Sequence, residues 1–168
     1  MKKSILIITI LTSTIFSSCH IKKSKNYENS FLSSADSLQI VQEVIKSTSD
    51  WANASISCDG KKVAEFWMNS PNLVFIDNMR GYPDFESIYQ NCIDFYSVPI
   101  DSTNLVWLKR NILPITKNMA SIYGRYEFYC KFSSGEIIHG IPYFTALMVN
   151  DGGKWKILRG HESVESNN

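Results

Sequence analysis

The chain has 168 residues, with 17 lysines and arginines against 16 aspartates and glutamates, a formal charge of +1. No clustered basic face supports nucleic-acid binding. Three histidines, with no Cys-x-x-Cys and no His-x-x-x-His, give no metal site of the usual spacings. Gly-x-Ser-x-Gly, Gly-x-Gly-x-x-Gly and phosphate-loop motifs are absent as well, so nucleophilic catalysis, nucleotide binding and a cofactor have no support.

In chain order, Lys2 and Lys3 precede an apolar run from Ile5 to Phe16, followed by Ser17, Ser18 and Cys19. A basic start, a short apolar core and small residues form a secretory leader. The run is shorter than the roughly 20 apolar residues of a spanning helix, and Thr12, Ser13 and Thr14 interrupt it. The junction resembles a bacterial lipobox, with Phe16 where leucine is usual. This would make residues 1–18 a signal peptide and Cys19 the acylated N-terminus. A spanning anchor and an ordinary secreted protein cut nearby are the alternatives. Multiple acyl chains give stable attachment, so the expectation is a lipid-anchored protein of the cell envelope. His20 after Cys19 points to the outer membrane. Cleavage removes Lys2 and Lys3, and the formal charge becomes −1. Residues 19–35, rich in Ser, Asn and Lys without periodicity, read as a flexible tether. Residues 36–164 amount to one domain and 165–168 to a tail.

Asp36-Ser-Leu-Gln39 has the form of a helix N-cap. Leu38, Val41, Ile45, Thr48 and Ala52 repeat at helical spacing, with Val44 and Trp51 widening the stripe. Asp59-Gly60 restarts the chain for a short second helix through Val63, Ala64, Phe66 and Trp67, closed by Pro71. Residues 72–77 alternate as a strand. Pro83-Asp84 opens a third helix with Phe85, Ile88, Cys92 and Phe95 on one side, and Pro99 ends it. Residues 103–115, 119–132, 136–149 and 154–162 are long runs rich in β-branched and aromatic residues, separated by turn chemistry. They predict an antiparallel meander, with Pro142 marking an edge or a bulge. Helices first and strands afterwards is the α+β pattern: a cone-shaped roll of strongly curved antiparallel sheet packed on three N-terminal helices. With Cys19 acylated, Cys58, Cys92 and Cys130 remain. Three free thiols are the favoured state over a Cys58–Cys92 bridge.

This order of parts resembles the nuclear transport factor 2-like superfamily in its SnoaL-like branch. The segments that carry the resemblance are the opening helix to Trp51, Leu73–Asp77 with Gly81, and Met119–Tyr126. The most specific is Phe144-Thr145 leading through Asp151-Gly-Gly-Lys-Trp-Lys-Ile157 to His161-Glu-Ser163. The resemblance implies a cone with a pocket between sheet and helices, and a homodimer through the outer sheet face. It also implies isomerase, cyclase or dehydratase chemistry in some members and ligand binding or assembly alone in others.

Acid–base chemistry in such a pocket needs a proton acceptor and donors at a developing oxyanion. Asp77 shares strand parity with Leu73 and Phe75, and His161 shares parity with Trp155, Ile157 and Arg159. Both are candidate catalytic residues, with a strand-end turn for Asp77 and a strand cap for His161 as the structural alternatives. Tyr82, Tyr96, Trp107 and Tyr126 are candidate ligand contacts, being apolar bodies with polar tips. Arg159 is a candidate partner for a carboxylate ligand, with exposed ion pairing as its alternative. His139 reads as a sheet-face residue beside Ile137 and Ile141. A sparse polar set favours a non-enzymatic binder of a small apolar or amphipathic molecule, with an acid–base enzyme or a ligand-free interaction module as alternatives.

Overall fold

The computed structural model describes residues 32–164. The expected signal peptide, Cys19, most of the expected tether and the 165–168 tail lie outside the described residues.

The first helix, α1 (Ser34–Ile56), begins two residues before the expected cap, inside the stretch assigned to the tether. Ser33 is its N-cap: the hydroxyl accepts from the Asp36 backbone N–H, and the Asp36 carboxylate sits in the first turn. Its buried stripe is Ile40, Val44, Thr48, Trp51, Ala52 and Ser55, while Leu38 and Ile45 are exposed. The stripe is therefore rotated from the one expected. Thr48, common to both stripes, sits at a junction, with its carbonyl accepting from Trp107 Nε1 at 3.1 Å and its hydroxyl from Arg110 at 2.9 Å. Helix α2 (Gly60–Ala64) is capped by Asp59, and α3 (Phe85–Ser97) by Asp84.

The strands are β1 (Val74–Asp77), β2 (Arg80–Tyr82), β3 (Ile100–Thr116), β4 (Met119–Phe132), β5 (Ile137–Gly140), β6 (Tyr143–Asp151) and β7 (Lys154–Ser163). They form one curved, unclosed sheet in the order β2-β1-β7-β6-β4-β3, with the helices packed on its inner face. The sheet is mixed rather than antiparallel, because β1 runs parallel to β7. Helix α3 and the whole meander lie between those two strands, so the chain returns to β1 only at its end. The expected strand over 136–149 is two strands. The first half of β4 pairs with β6 and the second half with β5. The break falls at Ile141-Pro142, where proline has no N–H for the ladder.

The core is continuous from α1 to the inner sheet face. Val44, Leu73, Ile122, Phe144, Trp155 and Ile157 are essentially sealed from water. On β4 the inner set is Ala120, Ile122, Gly124 and Tyr126. Gly124 is required where it stands: a Cβ there would lie 2.6 Å from Trp107 Cζ3 and 2.9 Å from the Lys109 carbonyl oxygen. Cys58, Cys92 and Cys130 are free thiols.

Candidate functional site

Between α1, α3 and the inner sheet face lies a cavity of about 310 Å³, at the lower end of the range for ligand pockets. Its apolar wall includes Trp51, Trp67, Phe75, Phe95, Leu105 and Phe128. At one end the polar groups collect: Asp77 and Asn78 after β1, Tyr82 of β2, Asn91 of α3, Tyr126 of β4 and Glu162 of β7. Tyr96 of α3 adds a phenol further along the wall.

Backbone pairing creates the acidic end. Phe75 pairs with Gly160 and Asp77 with Glu162, so both carboxyl side chains project to the inner face. Asn78 closes β1 in the left-handed region (φ 51°), a conformation asparagine tolerates. Its backbone N–H donates to the Glu162 carbonyl at 2.9 Å, and its side-chain oxygen accepts from the Val164 N–H at 2.9 Å. Its amide also donates to Asp77 Oδ1 at 2.9 Å. One residue thus ties both acid-bearing strand ends together.

The Glu162 carboxyl is surrounded by protein although the residue keeps some exposure. Burial pushes it up to about 7; the Tyr126 hydrogen bond opposes the shift and the neighbouring Asp77 charge adds to it. Asp77 is raised chiefly by burial, against the Asn78 hydrogen bond and the neighbouring Arg80 guanidinium. Burial drives the Tyr126 phenol well above its ordinary range, and pushes Tyr96 up to about 12. The end of the cavity therefore holds a carboxyl that exchanges its proton near neutrality, a second acid beside it and a phenol that stays protonated. Such a set can accept, hold or return a proton.

Of the candidates from sequence, the structure gathers Asp77, Tyr82, Tyr96 and Tyr126 around the cavity. Trp107 faces inward but is a packing residue, wedged over Gly124 with its indole N–H on α1. His161 and Arg159 lie on the opposite side of the sheet, in a shallow groove with Val74, Ser121, Thr145 and Leu147. The parity argument for His161 fails at a β-bulge. Met148 pairs with Ile157 but Leu147 pairs with Arg159, so Leu158 is an extra residue. Beyond it the inward positions are Gly160 and Glu162. Glu162 was missed for that reason. Its only signal in the sequence is its place beside His161. His139 lies at the β5 side of the cavity with Nε2 2.9 Å from Glu127 Oε1.

No family model matches the chain, and no curated protein matches it. Solved structures do. A nuclear transport factor 2 (NTF2-like) superfamily protein from Salmonella enterica superposes with a TM-score of 0.67 at 15% identity, covering 78% of this chain and 94% of that one. The fold is that of the NTF2-like proteins. A protein from Novosphingobium aromaticivorans proposed as a scytalone dehydratase gives 0.67 at 12% identity over 77% and 86% of the two chains. A proposed dehydratase of the NTF2-like family from Streptomyces avermitilis gives 0.64 at 9% identity over 76% and 97%. A shared fold at this identity does not choose a role, and the pocket residues must carry the functional argument.

Proposed function

We propose that the chain is an envelope-tethered protein whose cavity binds a small, largely apolar molecule through one polar end. The observation that supports this most is the cavity itself, an aromatic-walled space with Asp77, Glu162 and Tyr126 gathered at one end. A cone that served only as an assembly module would gain stability by filling that space.

A second reading is acid–base catalysis, and Glu162 specifically favours it. A general acid or base works best with a pKa close to the working pH, and burial brings Glu162 to about 7. Glu162 then takes the proton-transfer role that sequence reasoning gave to His161, with Asp77 and Tyr126 as its neighbours. Incubation of the purified protein with a panel of small amphipathic compounds, read by thermal shift and mass spectrometry, tests both readings. Ligand-induced stabilisation without new products supports the binder. Turnover lost in Glu162→Gln with binding retained supports the enzyme. A panel without any stabilisation or product removes both.

The tether is proposed from the lipobox resemblance at Cys19. Metabolic labelling with an alkyne fatty acid should mark the wild type and not Cys19→Ala. A homodimer through the outer sheet face is proposed from exposed apolar residues there, including Val106, Leu108, Leu113 and Tyr123. Sedimentation velocity should then give twice the mass of the chain.

A further inference from the structure

The charge balance of the cavity narrows its occupant. Among the described residues that line it, two are carboxylic acids and none is a lysine or arginine. The one lining histidine, His139, has Nε2 on Glu127. Arg80 is the nearest guanidinium to Asp77, but it donates to Asn91 at 2.9 Å and lies over the Tyr82 ring at 4.8 Å. Glu162 itself meets Tyr126 of β4, Asp77 of β1 and, more distantly, Tyr82 of β2, with Cys92 and Tyr96 of α3 closing the far wall. Among the described residues, the site is acidic without an internal counterion for Glu162.

The surrounding wall is aromatic. Ring faces attract cations that come within about 6 Å of the centroid, most strongly where water is excluded. Trp51 and Trp67, each more than nine-tenths buried in that wall, also carry indole N–H groups without a hydrogen-bond partner. Orphaned donors of this kind ask for an acceptor.

Resting on the reading of the cavity as a binding site, we infer that its ligand is a small organic cation. An ammonium sits between Asp77 and Glu162, and an apolar body carrying an oxygen acceptor lies against the aromatic wall. Neutral and anionic molecules of the same shape are discriminated against, because only a cation offsets two carboxyls drawn partly out of water.

Three probes with one body and different heads test this: tyramine, 2-(4-hydroxyphenyl)ethanol and 4-hydroxyphenylacetate, titrated by calorimetry into the purified protein. Tyramine should bind at least about tenfold tighter than the alcohol, and the carboxylate should bind weakest. Between about pH 6 and pH 8 the tyramine affinity should rise about fivefold or more, as Glu162 gives up its proton while the amine keeps its own. At neutral pH, binding should release a fraction of a proton, read from buffers of different ionisation enthalpy. Asp77→Asn and Glu162→Gln, each checked for fold by circular dichroism, should shrink the preference to about threefold or less. Equal binding of the alcohol, or a preference unchanged in both variants, overturns the cation assignment and leaves the pocket reading standing. Failure of all three probes to bind overturns the assignment together with pocket binding at this size.

Discussion

Asp77 and Glu162 are register partners across the parallel pairing of β1 and β7. Two acids far apart in sequence are thereby fixed side by side on the inner face of a curved sheet, and Asn78 bonds to both strand ends to hold them. Burial raises both, so the pair resists full ionisation as pH climbs.

The stability of the protein should carry that signature. Glu162 has a folded pKa of about 7 against 4.5 for an unperturbed glutamate, so the folded state binds the extra proton between those values. Stability must therefore fall as pH rises through this window. The loss should reach roughly 3 kcal/mol above pH 7, at 1.36 kcal/mol for each pH unit between 4.5 and about 7. Glu162→Gln should flatten the profile and leave the variant more stable than the wild type at pH 8, as measured by denaturant unfolding.

Asp77 should tune its partner. Because the Asp77 charge adds to the upward shift of Glu162, Asp77→Asn should lower the Glu162 pKa. Carboxyl carbon chemical shifts followed through a pH titration would report it. An upward or absent shift would mean the two acids are not coupled.

Gly124 should tolerate no side chain. Its alanine variant places a methyl 2.6 Å from the Trp107 ring and 2.9 Å from a backbone oxygen. Overpacking of this kind costs about 1–3 kcal/mol. The melting temperature of Gly124→Ala should drop by several degrees, and Trp107 fluorescence should move as its ring is displaced.

The thiols should differ in reactivity. Cys92 is buried and its thiol is pushed up to about 12 by burial, and burial raises Cys130 as well. Cys58 is half-buried. Under iodoacetamide at pH 8, peptide mass spectrometry should find Cys58 alkylated first, with Cys92 and Cys130 modified only when denaturant is added. Rapid native labelling of Cys92 would contradict its burial.

Much of this architecture was legible because local chemistry and tertiary packing agree. Asp59 and Asp84 cap the helices they precede, and the turn at Asp151-Gly-Gly joins the strands it separates. Asp77 reached the cavity by simple alternation with Leu73 and Phe75. Three features were not local. The parallel partnership of β1 with β7 depends on where the chain ends its path. The division of one apolar run into β5 and β6 depends on β4 needing two partners along its length. The inward face of α1 is the one that meets Trp107 and Arg110 of β3 through Thr48, a partnership no helical periodicity shows.

The bulge at Leu158 has a wider meaning. Were Leu158 paired as an ordinary ladder residue, strict alternation would present Arg159 and His161 to the interior and turn Glu162 outward. Asp77 would then face a guanidinium and an imidazole in place of a second carboxyl, and the chamber would lose its acidic character. Among chains of this architecture, the charge balance of the chamber can thus turn on whether one residue of the last strand is bulged or paired, with no change of any functional side chain.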